Sequence, residues 1–478
     1  MSVNEQASDA GEEPYGPAAP IIHPESGGRR EITKLGWPLA AGMLSFTVMG
    51  VVDTLFLGWV GTIAQAGVGL GTILIYALCG FFRGTTSGAQ SVVSAAHGAN
   101  DGARLRRAGG AAVLIALLSG LFAALICGLV ALYVLPLLTD EAEVVASGRP
   151  YLLIRALGLP ISLAGFGLMS ALQGVGETRI RMWASTAGNL ANIVLDVILI
   201  FGWGAIPALG ESGAAIATVC GETIMLVMYI RCYLRVLGMP QIPGGEVIRS
   251  ALTIGLPAGI QAAATSLAFT VISVVLAKMG AQHLAANHIA LNVISLSFLP
   301  GAGLGEAAAI LVGRYLGAGR PDLAQKSAAS ARQIALLVMG FCAVLFVVSG
   351  EHIAGLFTTD PLVKNLAAEL LIYAALFQLF DAVAMVNLCA LRAAGDTRFT
   401  LMATTTTGWL VLVPVSIYLG WMRGMGVSGA WIGILLELFA LALVTAWRIR
   451  GLPGGQLGRL DLLLGHEGKG EPLKAPEP

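Results

Sequence analysis

The chain has 478 residues, of which 56% are hydrophobic and 12% are charged, and its formal net charge is zero. Soluble domains carry about 25% charged residues, whereas the mean hydropathy of this chain is +0.80. These values exclude an ordinary soluble protein and predict a polytopic protein whose main surroundings are the lipid bilayer. Because positive charge is not in excess, we expect no nucleic-acid partner.

Twelve apolar segments are long enough to cross a bilayer as α-helices, which need about 20 residues each. Cut at loop signals, they predict helices at 35–58, 66–95, 108–135, 147–172, 180–203, 212–235, 250–278, 285–313, 330–350, 364–391, 399–421 and 427–449. We therefore predict an all-α polytopic membrane protein. Because the number of helices is even, both chain ends lie on the same side of the membrane.

Lysine and arginine indicate which side that is. The loops on the side of the two termini hold 20 of these residues, whereas the opposite loops hold only four: Arg149, Lys278, Lys364 and Arg423. Positive residues are concentrated on the cytoplasmic side of membrane proteins. We therefore predict a multi-pass protein of the cytoplasmic (inner) membrane with both termini in the cytoplasm.

The sequence contains an internal duplication. A shift of 219 residues aligns landmarks of the two halves: Pro38 with Pro257, Gly61 with Gly280, Gly98 with Gly317 and Gly176 with Gly395. Two parallel six-helix repeats of this kind are typical of secondary transporters. The predicted division is a disordered cytoplasmic tail at 1–30, a first lobe at 31–236, a cytoplasmic linker at 237–249, a second lobe at 250–451 and a cytoplasmic tail at 452–478.

Asp53 is the single acidic residue of the first predicted helix. An Asp at the middle of a bilayer costs about 2.5–3.5 kcal/mol on insertion scales, so it is retained where it faces the bundle interior, is partnered or is protonated. Asn192 and Asp196 lie one turn apart on one face of the fifth predicted helix. The three side chains suit a sodium or proton site, and two carboxyls that meet would favour a bound proton. The alternative is hydrogen bonding that only holds the helices together.

Fewer ionisable residues stand out in the second lobe. Asp381 and Glu306 align with Ser162 and Ser87 of the first lobe, so the two lobes do not share acidic positions. Glu306 is either a second titrating group or a salt-bridge partner. In the first lobe, we favour Arg83 as a charge partner of a buried carboxylate over Arg83 as a substrate contact.

Several classes of function are disfavoured by missing motifs. No GxxxxGK[ST] phosphate-binding loop is present, so direct use of ATP is not expected. The six cysteines form no close pair and the histidines lack metal-ligand spacing. We therefore expect no cofactor and no bound metal other than a coupling ion, H⁺ or Na⁺. No polar catalytic cluster is predicted at a membrane face, which argues against an enzyme.

Several motifs resemble the multidrug and toxic compound extrusion (MATE) family over about residues 31–450. They are the run VVDTLFLG at 51–58, a proline at the start of helices 1 and 7, the loops GETR at 176–179 and GDTR at 395–398, and LGAG at 316–319. FRGTT at 82–86 and NIVLD at 192–196 resemble the DinF-like branch.

The resemblance implies a V-shaped, two-lobe bundle that exports amphipathic, often cationic, organic compounds in exchange for protons or sodium. In DinF-like members the first-lobe cation site has an Asp of helix 1, an Asn and an Asp of helix 5 and a Thr of helix 6. The corresponding residues here are Asp53, Asn192, Asp196 and Thr218.

The NorM-like branch has a second-lobe site with a Glu of helix 7 and an Asp of helix 10. Asp381 matches that Asp, but Thr265 stands at the Glu position, so this chain departs from the NorM-like pattern. From its position alone, we hypothesise that Glu306 substitutes for that carboxylate.

We therefore predict a monomeric antiporter for small organic substrates that works by alternating access. A proton is preferred over sodium as coupling ion because carboxylates dominate the site. One alternative is a flippase for lipid-linked oligosaccharides, which would need a strongly cationic central cavity. The other is a polytopic membrane enzyme, which would need polar catalytic clusters at a membrane face.

Overall fold

The computed structural model describes residues 26–139, 141–204 and 206–450. The two predicted tails fall almost entirely outside these ranges. Within the described residues, twelve helices are long and apolar enough to cross a membrane, which confirms the predicted fold class. They are α1 (Arg29–Val60), α2 (Ile63–Gly98), α3 (Gly102–Leu138), α4 (Ala142–Gly174), α5 (Arg179–Phe201), α6 (Gly210–Val236), α7 (Gly245–Met279), α8 (Gln282–Gly317), α9 (Pro321–Gly355), α10 (Pro361–Ala393), α11 (Thr397–Met422) and α12 (Gly426–Arg450).

Most helices are longer than the apolar runs that predicted them. Helix α9 begins at Pro321 rather than near residue 330, with Asp322 in its first turn. Proline is favoured in the first turn of a helix, and an acidic side chain there interacts well with the helix dipole. Similarly, α1 begins at Arg29, inside the predicted tail. Polar first turns therefore extend these helices beyond the apolar core of a bilayer.

The duplication is visible in the backbone of the turns. Gly61 follows α1 at φ 151°, and Gly280 follows α7 at φ 130°. Likewise, Gly176 after α4 lies at φ 92° and Gly395 after α10 at φ 83°. Glycine adopts positive φ without the steric cost that a side chain brings. The first lobe (α1–α6) and the second lobe (α7–α12) thus use the same turns at corresponding places.

Each lobe inserts the start of its first helix into the core of the other lobe. Ile32 and Leu39 of α1 are buried in a cluster formed with α8, α9 and α10. Ala251 and Ile254 of α7 are buried in a cluster formed with helices of the first lobe. Both insertions lie at the end of the bundle where the described chain begins and ends, which we call the terminal end.

Glycines bring the lobes into close contact at the terminal end. A methyl group on Gly88 of α2 would lie 2.2 Å from the Ala251 carbonyl oxygen of α7. One on Gly98 would lie 1.8 Å from the Arg314 carbonyl oxygen of α8. Small residues let membrane helices approach this closely. Among the described glycines, those whose methyl group would clash across the lobes all lie in the terminal half of the bundle.

Polar contacts also join the lobes at the terminal end. Arg314 of α8 donates a hydrogen bond to the Val175 carbonyl oxygen beyond α4 at 3.0 Å. The Arg314 guanidinium also lies 3.8 Å from the Glu31 carboxylate of α1. The Tyr315 hydroxyl donates to the same carboxylate at 2.7 Å. These contacts hold the first turn of α1 against the second lobe.

The lobes diverge at the opposite end, which we call the open end. A methyl group on Gly50, Gly69 or Gly80 would meet nothing within 4 Å. Tyr76 of α2, which lines two cavities in this region, is 54% exposed. The described helices therefore form a V-shaped bundle that is closed at the terminal end.

Replacing Gly255 by leucine is expected to separate the lobes at the terminal end. A Cβ atom on Gly255 would lie 1.9 Å from the Thr85 carbonyl oxygen, and overpacking costs about 1–3 kcal/mol. Pulsed EPR between spin labels on the α2–α3 and α8–α9 turns should report a longer distance in Gly255→Leu. The control Gly128→Leu places its Cβ in open space and should leave the distance unchanged. An unchanged distance in Gly255→Leu would show that this contact does not control closure.

Candidate functional site

Asp53, Asn192 and Asp196 meet between α1 and α5 in the structure. The two helices pack against each other, and the Asp53 side chain lies within interaction distance of Asp196 and Asn192. The four-residue spacing of Asn192 and Asp196 turns both side chains toward α1. Both residues are fully buried, whereas Asp53 is half-buried at the wall of a cavity.

Glycines in α5 and α6 allow the close helix packing around this cluster. A methyl group on Gly221 would lie 2.7 Å from the Gly188 carbonyl oxygen and 3.2 Å from the Cβ atom of Asn192. Thr218, three residues before Gly221 on α6, lines the same cavity as Asp53. The Thr218 hydroxyl donates a hydrogen bond of 2.8 Å to a backbone carbonyl oxygen of its own helix. Thr218 therefore shares a cavity wall with Asp53, and its hydroxyl hydrogen is used within its own helix.

The acid cluster holds buried polar atoms without hydrogen-bond partners. They are Oδ1 of Asp53, both carboxyl oxygens of Asp196, and both amide atoms of Asn192. A buried polar group left unpaired costs about 1–3 kcal/mol. A bound proton or an oxygen-seeking cation would give the oxygen atoms among them the partner that they lack.

The donor set limits which ions suit the cluster. Within the described ranges, no group of three or more His, Cys, Asp or Glu side chains is arranged to hold a metal ion. Two carboxyls, one amide oxygen and one hydroxyl are hard oxygen donors, whereas transition metals prefer imidazole or thiolate ligands. The chemistry of the cluster therefore fits a proton or sodium.

A buried ion pair next to the acid cluster was missed by the sequence analysis. Nη1 and Nη2 of Arg155 on α4 donate to the two carboxylate oxygens of Glu222 on α6, at 2.9 and 3.1 Å. The Ser162 hydroxyl donates to the same carboxylate at 3.0 Å. The only sign of this pair in the sequence was that two residues of opposite charge lie in predicted helices of the same lobe. Their pairing depends on how α4 and α6 pack, which sequence spacing does not reveal.

Arg83 lies between aromatic rings. Its guanidinium carbon is 5.5 Å from the centre of the Phe46 ring and 5.8 Å from the centre of the Phe166 ring. Nε of Arg83 is buried without a hydrogen-bond acceptor. No ion pair to a carboxylate is among its contacts within the described part of the chain. The expected charge partner is thus replaced by cation–π contacts.

Glu306 of α8 contacts both lobes. Nε2 of Gln90 on α2 donates to Oε2 of Glu306 at 3.2 Å. Nη2 of Arg392 on α10 lies 3.6 Å from Oε1 of Glu306. Glu306 therefore has the salt-bridge partner that one of its two interpretations required, and it also joins the second lobe to the first.

Asp381 lies in a different polar group of the second lobe. It is buried, and its Oδ2 has no hydrogen-bond partner. The charged group that interacts with it electrostatically is the Glu437 carboxyl of α12. Glu437 in turn accepts a hydrogen bond from the Thr407 hydroxyl at 3.1 Å. Asp381 and Glu306 thus have separate partners and do not form one site.

Two adjoining cavities lie beside these groups. The outer cavity, of about 490 Å³, is lined by Asp53, Tyr151, Arg155 and Thr218 among others. The inner cavity, of about 290 Å³, lies nearer the terminal end. The two cavities share four lining residues: Phe46, Thr47, Tyr76 and Arg83. Each takes a single lining residue from the second lobe, so the candidate site belongs mainly to the first lobe.

Comparisons with known proteins agree with this architecture. The MatE family model matches residues 38–198 and 257–418, once in each lobe. The multidrug resistance protein MdtK of Yersinia pestis (strain Pestoides F) is 30% identical over 443 residues, which cover 88% of this chain and 95% of that protein. The multidrug resistance protein NorM of Burkholderia vietnamiensis is 30% identical over 435 residues, covering 87% of this chain and 93% of that protein.

A solved structure has the same fold. It is described as the outward-facing conformation of a multidrug resistance MATE family transporter of the MOP superfamily. It superposes with a TM-score of 0.83 at 20% sequence identity and covers 89% of this chain and 96% of its own. The DinF-like branch assignment stays a prediction. The double match of the family model and the near full-length relatives show that the chain belongs to the MatE (MATE) family of membrane transporters and is not an enzyme.

Proposed function

We propose that this protein exports small amphipathic organic compounds across the cytoplasmic membrane in exchange for protons, with sodium as the alternative coupling ion. The observation that carries the proposal is the buried Asp53–Asn192–Asp196 cluster, whose unpartnered oxygens lie beside the outer cavity of the first lobe. The multidrug resistance names of MdtK and NorM support drug-like substrates.

The excess of Lys and Arg at the terminal end favours its placement in the cytoplasm. With this orientation, the closed terminal end faces inward and the open end faces outward. This arrangement suits release of substrate to the outside and entry of a proton from there. We further propose that a single chain is sufficient, because both cavities are lined within one chain.

Helix α1 connects the coupling ion to the movement of the lobes. It carries Asp53, packs against α5 of the first lobe, and inserts its start into the second lobe. A ligand shifts a conformational equilibrium only if it binds the two states with different affinity. A proton bound between Asp53 and Asp196 removes their mutual repulsion and changes how α1 packs on α5. That change reaches the terminal contacts through the same helix.

The composition of the cluster favours a proton over sodium. Two facing carboxyls that share one proton carry a single negative charge and no longer repel each other strongly. Sodium would use the same carboxyl, amide and hydroxyl oxygens. The ion gradients in the following experiment distinguish the two ions.

Asp53→Asn and Asp196→Asn are each expected to lower the rate of coupled transport strongly, because an amide can neither exchange a proton nor supply a negative charge. Proteoliposomes would be given a proton or a sodium gradient and a panel of cationic, zwitterionic and anionic fluorescent dyes. Gradient-driven transport should fall about tenfold or more, within the usual range of coupling energies. The control is Asp322→Asn, an exposed acid at the start of α9.

Three outcomes of this experiment would change the proposal. Transport by the sodium gradient alone would assign sodium as the coupling ion and refute the proton. Unchanged transport in both Asn variants would remove the cluster from the mechanism. A wild-type protein that moves none of the dyes under either gradient would refute the proposed export.

Glu222→Gln is expected to destabilise the protein because it leaves Arg155 charged and buried without a counter-ion. Removing one partner of a buried ion pair costs about 3–5 kcal/mol, whereas replacing both by apolar residues is often neutral. Thermal unfolding in detergent should therefore show a lower midpoint for Glu222→Gln and a recovered midpoint for the double variant Arg155→Met, Glu222→Leu. If the double variant is as unstable as the single one, the pair is not an isolated charge-compensating unit.

Glu306→Gln is expected to slow coupled transport, because Glu306 links Gln90 of the first lobe to Arg392 of the second. Loss of a charged hydrogen-bond partner corresponds to a decrease of about tenfold in the rate of coupled transport. The proteoliposome assay measures this rate, and Glu351→Gln at the exposed end of α9 is the control. Normal coupled transport in Glu306→Gln would rule out Glu306 as a substitute carboxylate.

A further inference from the structure

The inner cavity has an apolar, adaptable wall. It lies among α1, α2, α4, α5 and α6, with Leu299 of α8 as its contact from the second lobe. Aromatic and methionine side chains supply much of its surface: Met43, Phe46, Phe166, Met169, Met225 and Tyr229. Aromatic rings bury large flat areas, and methionine adjusts to irregular shapes. Such a wall suits the apolar body of an aromatic compound.

Three charged residues line the inner cavity, and their charges do not cancel. They are Arg83, Arg181 and Glu222. Glu222 is already neutralised, since it accepts both hydrogen bonds from Arg155 and a third from Ser162. The remaining charge at the wall is therefore that of two guanidinium groups.

Arg83 retains unused hydrogen-bond donors. Its guanidinium contacts the Phe46 and Phe166 rings, which attract a cation but do not replace a carboxylate as acceptor. Its Nε is buried with no acceptor. A buried polar group without a partner is the arrangement expected where a ligand supplies the missing acceptor.

Arg181 approaches the cavity from the start of α5. Its stem packs on Gly42 of α1, where an added methyl group would lie 2.9 Å from Cγ of Arg181. After the Tyr229 hydroxyl, Glu306 is the acidic group whose charge acts on Arg181, but Glu306 is paired with Arg392 and Gln90. No salt bridge of Arg181 is found within the described ranges. Both guanidinium groups are therefore available to a ligand.

We propose that the inner cavity binds an amphipathic organic anion, with its acidic group at Arg83 and Arg181 and its aromatic body against the phenylalanine and methionine side chains. This inference rests on the proposed export function and assigns its preferred substrate class. Guanidinium groups match carboxylate, sulfonate and phosphate oxygens in charge and geometry. A simple organic cation would meet two like charges in the same space.

The size of the inner cavity favours a small molecule over a lipid-linked oligosaccharide. Its volume of about 290 Å³ is close to the lower limit of small-molecule pockets, about 300 Å³. An anion also does not compete with a proton for the Asp53 and Asp196 carboxyls. Exchange of the anion for a proton therefore requires that these two ligands favour different arrangements of the lobes, as in the mechanism proposed above.

Binding of three dansyl compounds to the detergent-solubilised full chain tests the preference for anions. Dansylglycine is anionic, dansylamide is neutral and dansylcadaverine is cationic, and all three share one aromatic body. Fluorescence titration at neutral pH should show that dansylglycine binds more tightly than dansylcadaverine by about tenfold or more, since a single charge-assisted contact is worth about tenfold. Equal or tighter binding of dansylcadaverine would overturn the proposal.

Variants of the two arginines test where the acidic group binds. Arg83→Gln and Arg181→Gln should each lower the affinity for dansylglycine about tenfold and leave that for dansylamide unchanged. Arg83→Lys keeps the charge and should retain part of the preference, which separates binding from misfolding. Arg423→Gln, on the exposed α11–α12 turn, is the control. Unchanged dansylglycine affinity in both Gln variants would overturn the proposal.

The dye panel separates this inference from the proposed function. If proton-driven transport of cationic dyes is found and dansylglycine does not bind, the anion proposal fails and export stands. If dansylglycine binding depends on both arginines but no dye moves under either gradient, export fails and the anion site stands.

Discussion

A charge inside a membrane must be paired, protonated or placed beside a water-filled space, and this constraint organises the first lobe. Arg155 and Glu222 meet it by pairing with each other, and they join α4 to α6 in doing so. Asp53 and Asp196 have no such partner, and they meet at the wall of the outer cavity. Unpaired buried groups beside a cavity are therefore where ligand chemistry is expected.

The two proposed ligands, a coupling ion and an organic anion, would bind at adjoining places in the same lobe. The unpartnered oxygens of the acid cluster lie beside the outer cavity, and the unneutralised guanidiniums line the inner one. The cavities adjoin because both are lined by Arg83 and its aromatic neighbour Phe46. They differ in that Asp53 lines only the outer cavity and Arg181 only the inner one. Helix α1 contributes to both and also inserts Ile32 into the second lobe. A change at either proposed site can therefore reach the closed contacts at the terminal end through one continuous helix.

The sequence predicted much of the fold and part of the site. The twelve helices follow from apolar length, and the repeat follows from pairs such as Gly61 and Gly280, because both signals are local in the chain. The cluster of Asp53 with Asp196 was predictable because isolated acids in apolar helices have few possible roles. The second lobe was less predictable: Glu306 had two open interpretations, and its contacts with Gln90 and Arg392 arise from packing between distant helices.

The sequence by itself determined the class of protein, the number of membrane helices, the duplication and the rarity of buried charge, since each depends on composition or spacing along one segment. Only the tertiary structure decided which charges neutralise each other. It paired Arg155 with Glu222, set Arg83 between phenylalanine rings, and left Arg181 facing the same cavity. The physical reason is that pairing depends on distances between helices that are far apart in the chain, and a membrane helix shows its charge in sequence but not its neighbour.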